Sequence, residues 1–360
     1  MKKIFWVFVV TIALCLTGCG TEIDDVSYVV AIGVDESEAG YNFTFAIGNP
    51  NSINGGGEGG GGDNNVLIYE NAVAKDVFAA GDMVESRIGQ RVNFSHAELL
   101  LISEAVAKQG VSELSDGLVR NLNQRPKLVP AACLTSAKEA LESINSDYDG
   151  NPEKQLKKML EEETSPVSLK VDNRDFLCRT KNIDSGCAIP LISSTDKGLE
   201  VSGISVFYKG KLIGSISDIL SYKLLADNVK NLSYSIDGIG SVILNQTEKP
   251  KISVECGRLT KINVDMKISV TVASLKDGKE KQELYGEVKS SLEKRIYELM
   301  QYTKTTLGVD ALEFYRYGKK SFKTEKSWQE YNWYEKYKNA EFEVNVEIIP
   351  EKTGLVGGAL

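Results

Sequence analysis

Between Ile262 and Val272 the chain alternates strictly: Ile262, Val264, Met266, Ile268, Val270 and Val272 are apolar, and Asn263, Asp265, Lys267, Ser269 and Thr271 between them are polar. A period of two fits only a strand with one face in a core and the other in water. The next periodic run changes its step. Val288, Leu292, Ile296, Leu299, Thr303 and Leu307 recur at three- and four-residue intervals, the stripe of a long amphipathic helix. Phe342, Val344, Val346 and Ile348 return to strand alternation. Upstream, Val201 to Tyr208 and Lys211 to Ile216 flank Lys209-Gly210 as a compact hairpin, and Ser217 to Asp227 reads as a helix. The second half of the chain is therefore an α+β module with helices packed on a sheet.

The first half alternates strand and helix. Tyr28 to Val34 and Tyr41 to Ile47 read as a hairpin across Asp35 to Gly40. Residues 51–65 hold the glycine tract 55–57 and 59–62 and read as a polar flexible loop. The tract satisfies G-x-G-x-x-G trivially, but no strand leads straight in and no helix follows, so a phosphate cradle is excluded on context. A helix is predicted from Asn71 to Gly89 on the face Val73, Val77, Ala80, Val84 and Ile88. Glu98 to Ile102 then reads as a buried strand, with Ser103 capping a helix that ends before Gly110. Ser136 and Glu139 have capping-box spacing for a helix through Ile144, and Glu153 to Glu163 forms another. Residues 178–199 are rich in Ser, Asp and Gly, read as irregular, and mark the boundary between an N-terminal unit, 19–195, and a C-terminal unit, 196–360.

The N-terminus has its own logic. Lys2 and Lys3 precede an apolar run from Ile4 to Leu16, too short to span a bilayer and of the right length for a signal-peptide core. Leu16-Thr17-Gly18-Cys19 resembles a bacterial lipobox, in which Cys19 takes a diacylglyceryl group and becomes the first residue after cleavage of residues 1–18. Two acyl chains anchor stably where one is marginal. The expected product is a body tethered to the extracytoplasmic face of a membrane by acylated Cys19.

Several chemistries lose support. With 42% hydrophobic and 26% charged residues in 360, the chain can bury a large core. Its net charge of −8, nearer −10 without residues 1–18, disfavours nucleic acid and anionic lipid as electrostatic partners. A single histidine, His96, leaves one candidate base and no multi-histidine metal site. No cofactor motif, no metal site and no catalytic constellation emerges. After signal removal and lipidation, Cys133, Cys178, Cys187 and Cys256 remain, too few for a disulfide scaffold. Cys178 and Cys187 flank a polar stretch and either close a small disulfide loop or stay free thiols. Glu161 to Glu163 reads as a solvated helix end, since adjacent helical positions point apart. Between Tyr315 and Tyr337, Lys319, Lys320, Lys323 and Lys326 interleave with Phe322, Trp328, Tyr331, Trp333 and Tyr334. Ser327 and Glu330 have capping-box spacing there, so the aromatics read as the buried face of a helix.

The chain resembles the Ger(x)C lipoproteins, the C subunits of bacterial spore germinant receptors, over nearly all of the mature sequence. The resemblance rests on Val29 to Asp35, Phe45 to Pro50, Ser95 to Gly110 including His96, Arg120 to Pro126, Gln301, Asp310 to Gly318, Lys323, Trp328, Trp333 and the final strand to Thr353-Gly354. Cys19-Gly20-Thr21 departs from the family's Cys-Trp-Asp start, as does the glycine tract 55–62. The resemblance implies tandem small domains of mixed sheets with packed helices, so the C-terminal unit is expected to split again near residue 250. It implies a non-enzymatic subunit of a nutrient receptor in the spore inner membrane, assembled with two integral-membrane partner subunits, with His96 a segment marker rather than a base. The competing reading is a solute-binding lipoprotein feeding a transporter, which needs two similar lobes around a cleft; an extracytoplasmic enzyme comes third.

Overall fold

The computed structural model describes residues 25–49, 67–114, 128–143, 160, 169, 171–195, 198–226 and 229–351. Cys19, the glycine-rich stretch 51–65, the segment 120–126 and the glutamates 161–163 lie outside them. Strands β1 (Val26–Ser37) and β2 (Gly40–Gly48) form the expected hairpin, and β3 (Leu67–Ala74) pairs antiparallel with β2. Helix α1 (Val77–Ile88) starts later than predicted, because the Asp76 carboxylate accepts Phe78 N and Ala79 N at 3.0 Å and fixes the first turn there. Asn71 to Ala74 belong to β3 instead, with Val73 opposite Asn42. The helix ends as expected at Gly89, whose φ of 72° is the left-handed cap.

Next come β4 (Arg91–Asn93), β5 (Leu99–Ser103), α2 (Glu104–Gln109) with Ser103 as its cap, β6 (Val129–Cys133) and α3 (Ala137–Glu142). Ser136 caps α3 at the predicted start, and Asp35 from β1 adds acceptors for Ala137 N at 2.7 Å and Lys138 N at 2.9 Å. Among the described residues of 178–199, only Thr180 to Gly186 is irregular. The rest include the end of α4 (Asn173–Arg179) and β7 (Cys187–Thr195), which pairs with β6 and along its whole length with β8 (Gly198–Tyr208). Sequence reasoning missed β7 because its first six residues are all buried, which erases alternation, and because Pro190 argues against a strand. The boundary expected at residue 195 therefore falls in the connection of a strand pair.

Strand β9 (Lys211–Ile216) closes the predicted hairpin with β8 through Lys209 and Gly210, at φ 50° and 77°, as a tight two-residue turn requires. Then follow α5 (Ile219–Ala226), β10 (Leu232–Ile236), β11 (Gly240–Gln246), β12 (Lys251–Cys256) and β13 (Thr260–Leu275). The long helix α6 (Lys281–Tyr302) runs on into a π-helical turn, Thr303–Leu307. Last are α7 (Tyr315–Lys319), α8 (Glu325–Tyr331), α9 (Trp333–Tyr337) and β14 (Glu341–Pro350). Thr324, not Ser327, caps α8: its hydroxyl accepts Ser327 N at 3.1 Å, so the first turn lies one residue after Thr324 and the expected capping box does not form.

Two sheets result. The nine-stranded sheet has the order β3-β2-β1-β5-β6-β7-β8-β9, with β4 also on β1, and its centre β1-β5-β6-β7 is parallel. Alternate residues of β5 enter different cores. Leu100 and Ile102 pack with α1, α2 and α4, while Leu99 and Leu101 pack with α3. The five-stranded sheet has the order β10-β11-β13-β12, with β14 parallel on β13, and is covered on one face by α6 through Leu284, Val288, Leu292 and Ile296. That second core also takes Ala188, Ile204, Val206 and Ile216, so β7, β8 and β9 are a wall shared by the two units. Among the described residues no helix is long and apolar enough to cross a membrane.

Candidate functional site: the junction of the two sheets

The residues singled out near the C-terminus converge at the end of this shared wall. The tight segment Gly308 to Tyr315 comes off the π-helical turn and meets the loop Thr180 to Gly186 that joins α4 to β7. Its centre is Asp310, which is buried. Its carboxylate accepts Leu312 N at 3.2 Å, Tyr315 N at 2.8 Å and the Trp333 indole N–H at 3.2 Å, while its backbone carbonyl accepts Gly186 N at 3.0 Å. Loss of water pushes the carboxyl up to about 7, against the opposing pull of the backbone N–H groups of Tyr315, Phe314 and Leu312. Gly186 fits because a Cβ there would lie 3.0 Å from Val206 Cγ1 and 3.3 Å from both Phe207 O and Val309 Cγ2.

Further pins cross the same seam. The Trp328 indole donates to Asp184 at 2.9 Å, and Asn182 donates to the Tyr315 hydroxyl at 2.8 Å. Tyr208 of β8 stacks on Tyr334 of α9 with centroids 5.4 Å apart, and its hydroxyl donates to Ile183 O at 3.0 Å. Trp328, Trp333 and Tyr337 are fully buried, so the aromatic run is core, as expected. Beside the pins lies a cavity of about 280 Å³ whose lining includes Arg179, Tyr222, Lys249, Glu313 and Arg316. Glu313 sits in the left-handed region at φ 60° and pairs with Arg179 at 3.4 Å and Arg316 at 2.9 Å. Burial works against the Arg179 charge, but Glu313, Cys187, Asp175 and Tyr222 together outweigh it and hold the guanidinium above its ordinary value. Burial likewise raises the Tyr222 hydroxyl, which keeps it a neutral group at the cavity.

The other predicted positions lie elsewhere. Cys178 is exposed on α4 and Cys187 buried at the start of β7, both as free thiols, so no bond closes the stretch between them. Burial pushes the Cys187 thiol up to about 12, which makes it a poor nucleophile. His96 ends a 3-10 turn, is exposed, meets Tyr28 edge-on at 4.6 Å and has Ser95 Oγ 3.1 Å from its Nδ1. No group of metal ligands occurs among the described residues. Sequence reasoning missed the Arg179, Glu313 and Arg316 cluster, whose members are 134 or more residues apart or masked by an ordinary i,i+3 charge pair. The one local signal for Asp310 was a lone acid inside Val309-Asp310-Ala311-Leu312.

The family signature described as "Spore germination protein N-terminal domain" matches residues 20–194, and that described as "Spore germination B3/ GerAC like, C-terminal" matches residues 202–354. The spore germination protein GerQC of Bacillus cereus is 23% identical over 378 aligned positions, covering 99% of each chain. YfkR of Bacillus subtilis (strain 168), whose name assigns it provisionally to spore germination, is 28% identical over 236 residues, 61% of this chain and 59% of its own length. The crystal structure of the GerBC protein shares the fold with a TM-score of 0.56 at 14% identity, covering 88% of this chain and 96% of that one. With both of its domains matched in order, the chain belongs to the Ger(x)C family of spore germination proteins, the C subunits of germinant receptors.

Proposed function

We propose that this protein is the lipid-anchored C subunit of a nutrient germinant receptor in the spore inner membrane, tethered through acylated Cys19 and acting by assembly with two membrane-embedded subunits. The observation that carries this reading is the pair of family matches, at 20–194 and 202–354, laid end to end along the body that follows Cys19. The junction supports binding rather than chemistry. Asp184, Asp310, Trp328 and Trp333 spend their polar groups on one another and on backbone, which couples the two sheets into one unit. Two acyl chains would confine that unit to the membrane surface and raise its effective concentration near integral partners. A solute-binding lipoprotein would have two similar lobes, whereas here a nine-stranded mixed sheet meets a five-stranded sheet of different topology.

Release of dipicolinate from spores lacking the protein tests the reading. Failure after nutrients, with a normal response to a trigger that bypasses receptors, is the expected result, and Cys19→Ala spores should share the defect. A normal nutrient response across a broad panel in the deletion would overturn it.

A further inference from the structure

We propose that the junction cavity binds a small organic mono-anion, a carboxylate with an apolar body, between α4 of the first unit and β12 and the 310–319 segment of the second. Nothing in the receptor reading requires such a site; the cavity's own chemistry does. Its lining is of two kinds. Leu225, Ile252 and Leu312 give it apolar lining, and Arg179, Lys249 and Arg316 give it charge, with Glu313 paired to both arginines. The lining thus carries three cations against one acid. Counting Asp175, which pairs with Arg179 at 3.1 Å just outside it, leaves one positive charge in excess. A mono-anion balances that charge; a phosphate monoester, with roughly −1.5 to −2, overshoots it.

The arrangement is built rather than incidental. Glu313 holds a left-handed backbone that side-chain-bearing residues seldom adopt, and its side chain is only 18% exposed. Its carboxylate touches Arg179 through Nη1 and Arg316 through Nη2, so one negative charge orients both forks while leaving further N–H donors on each. Because the single charge of Glu313 is already shared by two guanidiniums, an incoming ammonium group meets more positive than negative charge there. Lys249 has no ion-pair partner among the described residues and is the group whose charge awaits one. At about 280 Å³ the space suits a ligand at the small end of the usual range.

Isothermal titration of the full-length protein in detergent micelles with hexanoate tests the assignment, with hexylammonium, 1-hexanol and inorganic phosphate as probes that each lack one required feature. Hexanoate should bind about tenfold tighter than any of the three, the loss expected for removing one charged or apolar contact. Lys249→Gln removes no internal contact of the fold and should weaken hexanoate about fivefold. Lys326→Gln, on a side chain 86% exposed on α8, should leave it unchanged. Equal affinity for hexylammonium, no effect of Lys249→Gln, or no binding of hexanoate in the millimolar range would each overturn the proposal. No membrane subunit is present in the titration, so its result is independent of the receptor reading.

Discussion

The two sheets of this protein solve the burial problem in opposite ways. In the nine-stranded sheet, β5 and β6 are buried at every position, because α3 covers one face and α1, α2 and α4 cover the other. In the five-stranded sheet α6 covers one face and water the other, so β13 buries Ile262, Val264, Met266 and Ile268 and leaves Lys261, Asp265 and Lys267 outside or half outside. A parallel sheet between two helical layers needs hydrophobic residues at every step, whereas a sheet with one wet face needs them at every second one. The difference teaches where a substitution matters: anywhere along β5, but only on one parity of β13.

The largest effect should come from breaking that contrast directly. Leu101→Asn puts an amide between Ala131 and the α3 residues Ala140 and Leu141, with no water to satisfy it. Lost apolar burial and an unpaired polar group together should cost about 4 kcal/mol. Lys267→Asn, on the wet face of β13, should change stability by less than about 0.5 kcal/mol. Urea unfolding of the two variants checks the pair; similar losses in both would mean that the outer face of the second sheet is covered.

The same contrast decides what could be read in the sequence. The alternation of β13 and the stripe of α6 were legible because each has a wet side to mark its period. The caps at Ser103, Ser136 and Gly89 were legible because capping is local chemistry. Strand β7 was not, since a strand buried along most of its length and carrying Pro190 has neither period nor propensity to show. In the shared wall, β9 keeps Lys211, Ile213 and Ser215 exposed, so its hairpin with β8 was legible, whereas the packing of β7 and β8 against both cores was not. At the junction, Trp328 and Trp333 were legible as buried aromatics, but their partners Asp184 and Asp310 come from other segments, and no spacing rule connects them.

The junction can be separated from both sheets by pH. Asp310 is raised to about 7 in the folded chain, chiefly by burial, from an ordinary value near 4 when unfolded. Between those values the folded state holds a proton the unfolded state has lost, so this group's contribution is fully present below about pH 4 and is lost as pH rises through 7. Asp310→Asn removes that dependence. Relative to the variant, the parent should lose about 2 kcal/mol between pH 5 and pH 8, read as the difference of their urea midpoints at the two pH values. Parallel midpoint curves would show that Asp310 keeps its charge throughout.

Trp333→Phe asks a smaller question of the same place. The ring face that packs on Trp328 at 5.6 Å and Tyr337 at 5.9 Å is largely kept, but the indole donor to Asp310 is gone. Leu312 N and Tyr315 N still reach the carboxyl, so it is not stranded, and the loss should be about 1 kcal/mol. A loss as large as that of Leu101→Asn would mean that the indole N–H, and not the aromatic packing, holds the seam together.

The smallest effect is expected where the second sheet meets water. Lys267 and Glu347 face each other across β13 and β14 at 3.5 Å, and Lys261 and Glu341 repeat the arrangement at 4.0 Å, all four side chains well exposed. Such cross-strand pairs look like a ladder fastening β14 to β13. Physical reasoning puts the fastening elsewhere: exposed ion pairs are screened and contribute about 0 to 0.5 kcal/mol each, while Phe342, Val344, Val346 and Ile348 on the opposite face pack against the α6 core. Glu293 on α6 adds a hydrogen bond from Val346 N at 2.9 Å that no outer-face charge can replace. The double variant Lys267→Gln, Glu347→Gln should therefore match the parent in low salt and in high salt alike. A salt-dependent loss beyond about 1 kcal/mol would show that charge, rather than the covered face, sets the register of the last strand.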